Sequence, residues 1–548
     1  MDNSFHFKLS KDGIEMLFCI LLVLILLFNV IIPLDTVLSM GGDYGQMVWN
    51  LWVVDYLICQ GENPFITDLV HYPEGANLTH HSLASGFFPL VFIVKNIIRL
   101  INGQEAIAPL ISYHLIIWLS FALILIFSYK TLRELNLSKL NSLIPAIGYT
   151  FCAFYQLHWF HLNLISGFFI PLTAWLIIRF FKRPTTQNAC FVSFFLAISI
   201  YFTEFIVYIL MAIGFLFIVS YSLTKERKKI NATIKKAGFS SISISVLLFC
   251  VIIIPFVYYW FLEPAGKMPE QEISRFSANL AGFFIPHPDF TPLYGNIFSS
   301  LNNNITAGIS GFEIFIGFPL LLSALLWVFS SKNTMSKIAA VTMTAFFILS
   351  LGPSLKIMGW ETGIPLPYKL IMHIPPFSAS RTPVRFVVIA MFFLSILAGF
   401  GLSWLDRLLK ARIKRNVSWI FKGLLLAWVL TEVFRPYPTL TPIKVPENLN
   451  KEIPGPVLNM PLQIVDGHAA LLQTFHHKPI IAGYTARITK KQLSQFDALS
   501  YVLQHGLKEF QAAIHDLGIK TIIIRNRAVP HEIVASYACD INIIDLRD

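Results

Sequence analysis

The first long polar segment of the chain is rich in carboxylates, which can act as proton acceptors. Between 35 and 82 the chain carries six acidic residues and no lysine or arginine. Asp43 follows Gly41 and Gly42, which allow a tight backbone turn that would hold its carboxylate in place. A fixed carboxylate can take a proton from an acceptor hydroxyl or amine, so Asp43 is the predicted catalytic residue. Asp35 is a second candidate or a helix cap, and the other four acids are expected to be solvated loop residues.

Two arginines form a second signal. Arg381 and Arg385 lie four residues apart in Arg-Thr-Pro-Val-Arg, at the start of the apolar run 385–405. If a helix begins this early, with Pro383 in its first turn, both guanidinium groups lie on one helical face. Guanidinium donors match phosphate oxygens, and a helix N-terminus adds positive potential. The pair predicts a phosphate site; the alternative is that both arginines extend to lipid headgroups, which also carry phosphates.

Further polar residues are candidates for lining the same site. His-x2-His at 158–161 could ligate a metal, but no HExxH motif accompanies it and the six cysteines have no CxxC spacing. Hydrogen bonding to a sugar, or interfacial packing, is favoured; no cofactor is predicted, and a divalent metal ion is left open without being indicated. Glu204 and Glu313 lie at the outer ends of predicted spans, where each could line the site or equally well form a structural ion pair. The lining candidates are Asp35, Tyr44, His80, His81, His158, His161, Asn163, Glu204, His287 and Glu313.

Composition determines the class of protein that must position these residues. Of the 548 residues, 55% are hydrophobic and 13% charged, whereas soluble domains have roughly 45–50% apolar and about 25% charged residues. Apolar runs of about 20 residues recur, which is typical of membrane-spanning helices and excludes a soluble enzyme, a disordered scaffold and a β-barrel. The net charge of +11 comes from cations that flank these runs, so nucleic acid is not an expected partner.

The runs and their flanking charges predict a helical membrane protein with its N-terminus in the cytoplasm and its C-terminus outside. One apolar segment, 83–101, is interrupted by Lys95 and Arg99. If it crossed the membrane, the later clusters of cations would fall outside, against the positive-inside rule. We therefore predict an amphipathic or re-entrant helix on the outer leaflet there. The eleven predicted spans are 14–34, 106–128, 140–160, 162–181, 189–202, 204–222, 238–261, 309–330, 337–353, 385–405 and 417–434.

The predicted domains are a multispan domain over 1–435 and an extracytoplasmic domain over 440–548. The first has long outer loops at 35–105, 262–308 and 354–384. The extracytoplasmic domain is more polar than the multispan domain and has short apolar runs between helix-like stretches, which predicts a small α/β domain. Within it, Gly483-Tyr484-Thr485-Ala486-Arg487 is the segment that could position an acceptor, and a simple turn is the alternative.

With this architecture, the chain resembles the GT-C superfamily of membrane glycosyltransferases, which includes protein mannosyltransferases and oligosaccharyltransferases. The resemblance rests on Gly41-Gly42-Asp43-Tyr44 just after the first span, the many spans and the C-terminal outer domain. Segments similar to poorly characterised bacterial multispan proteins of this superfamily are 63–65, 72–78, 381–386 and 455–461.

The resemblance implies that Asp43 is the catalytic base or orients the acceptor, and that Arg381 and Arg385 hold the phosphate of a polyprenyl-phosphate sugar. Many members have two adjacent acids in the first loop, whereas Tyr44 follows Asp43 here. We therefore predict an inverting-type sugar transfer to a glycan, lipid or protein acceptor at the outer face of a bacterial inner membrane, with membrane lipids as further partners. Alternatives are a transporter or flippase, for which midplane charges are expected, and a non-catalytic assembly protein that binds lipid-linked glycan.

Overall fold

A computed structural model gives the conformation of most of the chain, and its described part is mostly helical. The described residues are 11–28, 36–37, 42–101, 103–203, 232, 235–262, 266–287, 291, 295–305, 314–330, 334–374, 377–413, 415–434, 441–442, 449, 452–505, 507–525 and 541–546.

Within these ranges, five helices are long and apolar enough to cross a bilayer, and four shorter apolar helices accompany them. Helix Phe239–Leu262 has only 17% of its most apolar window buried, and its Leu247 and Val251 side chains are exposed. Such an apolar surface is stable in lipid rather than in water, so the chain is a membrane protein. How many helices cross stays a prediction. The other long helices are Glu105–Glu134, Leu162–Lys182, Pro383–Arg412 and Asn416–Val433, and the shorter ones are Gly13–Leu26, Thr186–Tyr201, Phe318–Phe329 and Thr334–Ser350.

Helix Val387–Arg412 lies at the centre of the membrane part. It packs against Phe318–Leu325 and Thr334–Ser350, and residues on all of its faces are buried from Val387 to Ala398. A helix that is apolar all round is buried on every side when other helices surround it. The remaining α-helices are Lys11–Leu26, Gly42–Cys59, Phe88–Leu100, Ala108–Glu134, Lys139–Thr150, Ala153–Leu157, Leu162–Ile165, Phe169–Lys182, Thr186–Ile198, Glu270–Arg275, Ser299–Ile305, Tyr368–Ile371, Arg415–Val433, Gly467–His476, Lys490–His505 and Leu507–Asp516.

The predicted span 140–160 is not one continuous helix. Helix Lys139–Thr150 contains Pro145, and a separate short helix follows at Ala153–Leu157. Twelve helical residues rise about 18 Å, which is shorter than a hydrocarbon core about 30 Å thick. An apolar run therefore does not by itself identify a spanning helix here. The predicted span 204–222 and the first residues of 309–330 lie outside the described residues.

Segment 83–101 contains the 13-residue helix Phe88–Leu100. Val91, Val94 and Ile98 are its buried residues and share one face, which gives the helix an amphipathic character. Lys95 forms an ion pair with Asp55, and Arg99 lies 2.7 Å from Glu105. Thirteen residues rise about 20 Å, so this helix is too short to cross a bilayer on its own axis.

We expect topology reporters inserted at residues 83 and 103 to lie on the same side of the membrane. The helix between them is too short to span the bilayer, and it carries two paired cations, which are costly to bury in lipid. Paired reporters at 103 and 136 are the control, because the long helix Ala108–Glu134 separates them. Opposite sides for 83 and 103 would overturn the predicted topology.

The described C-terminal residues, 452–505, 507–525 and 541–546, form an α/β unit. Strands Val457–Met460, Thr521–Ile524 and Asn542–Asp545 make a parallel sheet in that order. Helices pack against the sheet around a separate apolar core that includes Phe510 and Ile514. The other strands form two-residue or hairpin pairs: Thr36–Val37 with Thr441–Pro442, Ile66–Thr67 with Ala76–Asn77, and Ser354–Ile357 with Trp360–Pro365.

This C-terminal unit packs directly on helix Gly42–Cys59. The indole N–H of Trp49 donates to the side-chain oxygen of Gln473 at 2.7 Å, and both side chains are fully buried. Gly467 approaches so closely that a Cβ there would lie 2.1 Å from the carbonyl oxygen of Gly42. Because only glycine permits this approach, the contact fixes the C-terminal unit beside the residue that precedes Asp43.

Candidate active site

Asp43 lies in the first turn of helix Gly42–Cys59, directly after a glycine with φ of +63°. Its Oδ2 accepts a hydrogen bond from Nε2 of His161 at 3.0 Å, and its Oδ1 accepts one from the Tyr484 hydroxyl. The side chain of Asp43 keeps 39% of its surface exposed. The carboxylate is therefore held in orientation by two donors and remains accessible to a ligand.

Asp43 and His161 both favour their deprotonated forms, because the pKa of each group is lowered. The hydrogen bond from His161, together with Tyr484 and the charge of Arg381, lowers the pKa of Asp43 to about 2. Burial lowers the pKa of His161 to about 4, although Asp43 opposes the shift. At neutral pH a carboxylate thus faces a neutral imidazole that donates through Nε2. Nδ1 of His161 is then an acceptor, and His158 Nδ1 lies 3.4 Å away as its donor.

Two arginines interact electrostatically with this carboxylate, and a third interacts with both of them. Arg381 is exposed, and its guanidinium carbon lies 4.9 Å from the centre of the Phe276 ring. Arg385 is half-buried, and its charge contributes to the lowered pKa of His161. Arg487 donates to the carbonyl of Ala379, and burial with the charge of Arg381 lowers its pKa. Arg381 and Arg385 thus lie within electrostatic reach of Asp43, and Arg487 lies within electrostatic reach of both arginines.

The predicted helical placement of the arginine pair is wrong in detail. A 3-10 turn over Pro383–Phe386 comes first, and the α-helix begins only at Val387. Arg381 therefore precedes the helix, while Arg385 lies in the 3-10 turn. Pro383 is the first residue of this 3-10 turn, a position where a missing N–H is tolerated.

Tyr484 and Arg487 come from the C-terminal unit, and buried histidines of the first loop hold their segment. The backbone N–H of Ala486 donates to Nδ1 of His81 at 2.9 Å. Nε2 of His71 lies 2.9 Å from the hydroxyl oxygen of Thr485. Sequence reasoning selected 483–487 for its position in the outer domain, but no signal in it identified a tyrosine that reaches Asp43.

Two of the predicted lining residues belong to the protein interior instead. Tyr44 is buried, with its hydroxyl 3.3 Å from Nε2 of His114 and its ring against Tyr113. His81 is buried as well, 2.8 Å from the side-chain oxygen of Asn50. Because successive helical residues point about 100° apart, the Tyr44 side chain is directed towards His114 and Tyr113 while Asp43 contacts His161 and Tyr484. His81 acts by anchoring a loop rather than by contacting a ligand.

The structure describes three further candidates and leaves three others outside the described residues. The ring of His80 packs 4.3 Å from that of Trp260, Asn163 is buried near His161, and His287 is half-buried in another outer segment. Asp35, Glu204 and Glu313 lie outside the described residues. In the described part of the chain, no group of three or more His, Cys, Asp or Glu residues could hold a metal ion.

Comparison with solved structures finds chains similar to this one over most of its length. One is the archaeal oligosaccharyltransferase AglB from Archaeoglobus fulgidus, in complex with an inhibitory peptide and a dolichol-phosphate. The two sequences are 12% identical, the match covers 92% of this chain and 69% of that chain, and the TM-score is 0.48. Another is ArnT from Cupriavidus metallidurans, bound to undecaprenyl phosphate. Its sequence is 14% identical, the match covers 89% of this chain and 88% of that chain, and the TM-score is 0.44. Oligosaccharyltransferases are among the proteins that the sequence resemblance named. No protein-family model and no curated protein matches the chain.

Proposed function

We propose that the protein is a membrane glycosyltransferase that moves a sugar from a polyprenyl-phosphate donor to an acceptor hydroxyl or amine. The observation that carries this proposal is that Asp43, held by His161 and Tyr484 and still accessible, lies within electrostatic reach of Arg381 and Arg385. Arg487 lies within electrostatic reach of the same two arginines. Sugar transfer from a phosphate needs both kinds of group at one place: an anion beside the acceptor and cations beside the departing phosphate.

In the proposed reaction the acceptor oxygen or nitrogen attacks C1 of the sugar in a single displacement. The bond between C1 and the phosphate oxygen breaks, and its electron pair stays on the phosphate, which leaves as polyprenyl phosphate. The arginines stabilise this charge, because guanidinium groups bind phosphate oxygens in pairs. The leaving group needs charge stabilisation more than protonation, since the phosphate is already a weak base.

Asp43 takes the acceptor proton in this scheme. A carboxylate whose pKa is about 2 is a weak base, so the proton moves late, when the attacking atom already carries positive charge. Before that, the carboxylate orients the acceptor by accepting its hydrogen bond. His161 and Tyr484 fix the carboxylate for this task, since each holds one of its two oxygens.

The proposed site lies on the outer face of a bacterial inner membrane, with the polyprenyl tail entering laterally between helices. The positive-inside distribution of the charges supports this orientation. The proposed role of residues 440–548 is to position the acceptor, which the reach of Tyr484 to Asp43 supports.

The test compares consumption of polyprenyl-phosphate sugars by membranes that hold wild type, Asp43→Asn or Glu62→Gln. Glu62 is the matched control because it is an exposed acid of the same loop. We expect turnover in wild type and Glu62→Gln but not in Asp43→Asn, with donor binding retained by all three. Binding without turnover in wild type would favour the assembly-protein alternative, and uptake of intact donor would favour a flippase.

Tyr484→Phe should lower kcat about 10- to 100-fold, because a hydrogen bond to a charged group contributes about 1.5–3 kcal/mol. The Tyr484 hydroxyl helps to lower the pKa of Asp43, so its removal raises that pKa. Since the carboxylate form is the active one, the acid limb of the pH profile should move to higher pH. A profile of kcat that begins at about pH 2, near the wild-type pKa of Asp43, and ends at neutral pH measures both effects. Tyr501→Phe, an exposed tyrosine of the same unit, should leave the profile unchanged; equal profiles for both variants contradict the assignment.

A further inference from the structure

A buried ion pair fixes the position of Asp466 in the C-terminal unit. Arg525 directly follows strand Thr521–Ile524, and its Nη1 donates to Oδ1 of Asp466 at 2.8 Å while its Nη2 donates to Oδ2. The side chains of Arg525 and Asp466 are only 6% and 2% exposed. Apolar residues of similar size often stabilise a fold as well as a buried ion pair does, whereas a guanidinium with two parallel bonds also fixes an orientation. What this pair contributes beyond apolar packing is therefore a fixed geometry.

Asp466 joins three parts of the C-terminal unit. Its carboxylate is bound to the sheet through Arg525, and its Oδ1 also accepts a hydrogen bond from the backbone N–H of Ala469 at 2.9 Å. Asp466 is thereby the N-cap of helix Gly467–His476, because it satisfies a donor of the first helical turn. Its own backbone N–H donates to the carbonyl oxygen of Gly483 at 3.0 Å. One residue thus sets the relative positions of the sheet, this helix and the segment that begins at Gly483.

The helix and the segment each lead to Asp43. On the helix, Gly467 packs so tightly that a Cβ there would lie 2.1 Å from the carbonyl oxygen of Gly42, the residue before Asp43. In the segment, the Tyr484 hydroxyl donates to Oδ1 of Asp43. Because a hydrogen bond between two oxygens spans about 2.5–3.0 Å, a displacement of about 1 Å in either element breaks the contact between Tyr484 and Asp43.

We propose that Asp466, held by Arg525, is a positioning residue that sets the Tyr484 hydroxyl against Asp43 and contacts no substrate itself. This inference rests on the proposed function, in which Asp43 orients the acceptor and takes its proton. Asp466 acts through Tyr484, so its replacement should reproduce the loss of that hydroxyl.

The C-terminal unit should stay docked when the ion pair is weakened, because helix Gly467–His476 has a second attachment. The indole N–H of Trp49 donates to Gln473 on that helix, and both side chains are buried. Asp466→Asn keeps the shape of the side chain and removes its charge, whereas Arg525→Lys keeps the charge and removes the paired donors. Because loss of one charge from a buried ion pair destabilises a fold, Arg525→Lys is the milder variant. The melting temperature shows that each variant is folded.

The first measurement does not depend on sugar transfer. Fluorotyrosine replaces Tyr484 in the purified full chain in detergent, and its fluorine NMR shift is compared with and without Asp43→Asn. In the wild-type background we expect the shift to change, because the phenol loses its carboxylate partner. The change should be less than half as large in Asp466→Asn and in Arg525→Lys. The control Glu452→Gln should respond as wild type does, since its ion pair, 3.7 Å long, lies at the surface of the same unit. An equal response in all four backgrounds would overturn the inference.

The second measurement separates a positioning role from a stabilising one. Asp466→Asn should lower kcat for sugar transfer about 10- to 100-fold, as Tyr484→Phe does, with the donor Kd within about threefold of wild type. Adding Tyr484→Phe to Asp466→Asn should lower kcat no further, because both changes remove the same contact. Losses that multiply, or a kcat equal to that of wild type, would contradict the positioning role. If wild type transfers no sugar, the proposed function fails, and the fluorine comparison alone decides whether Asp466 positions Tyr484.

Discussion

Replacing Asp43 by asparagine should lower kcat about 100- to 10,000-fold, the range that a positioned proton acceptor contributes. The amide has nearly the same volume as the carboxylate, so the packing of helix Gly42–Cys59 is retained. It cannot take a proton from the acceptor, however, and its NH2 group would face a donor, either His161 or the Tyr484 hydroxyl. Both the orientation of the acceptor and the uptake of its proton are lost together.

The measurement is single-turnover transfer at saturating polyprenyl-phosphate sugar, with the donor Kd determined separately. The Kd should change little, because the arginines rather than Asp43 are proposed to hold the phosphate. Glu62→Gln should retain wild-type turnover. Turnover of Asp43→Asn within about tenfold of wild type would contradict the role of Asp43 as proton acceptor and move that role to another acid, such as Asp35.

The sequence allowed prediction of residues whose role depends on local pattern. Asp43 stands out because glycines precede it in a segment free of cations. Arg381 and Arg385 stand out because they lie on the predicted outer side of the membrane, where cations are few. The structure brings both arginines within electrostatic reach of Asp43. Their function stays a proposal, but their grouping follows from signals that a single sequence carries.

Residues that reach the site over long separations could not be predicted in the same way. Tyr484 contacts Asp43 across 441 positions, and this contact depends on how the C-terminal unit packs through Trp49 and Gln473. No periodicity encodes such a contact. Tyr44 shows a second limit: adjacency to Asp43 in sequence suggested a shared site, but the Tyr44 side chain is buried against His114 and Tyr113, a contact that no local pattern encodes.

Arg381→Gln should lower kcat/KM for the polyprenyl-phosphate sugar about 100- to 1,000-fold, the loss typical of one donor that stabilises charge in the transition state. Arg381 is exposed, so its replacement leaves the fold intact. Arg381→Lys should recover part of the loss, because an ammonium supplies charge without the paired donors of a guanidinium. Both kcat and KM should change, since the phosphate gains charge as it leaves.

The matched control is Arg275→Gln, because Arg275 is also an exposed arginine on an outer segment beside the Phe276 ring. Its nearest described carboxylate, Glu272, lies 3.9 Å away, so losing this weak surface pair costs little. If Arg381 only attracts lipid headgroups, the two glutamine variants should lose affinity for the donor equally and keep the wild-type kcat. If Arg381 stabilises the departing phosphate, only its own variant loses kcat, because only a cation beside the breaking bond contacts the charge that forms there.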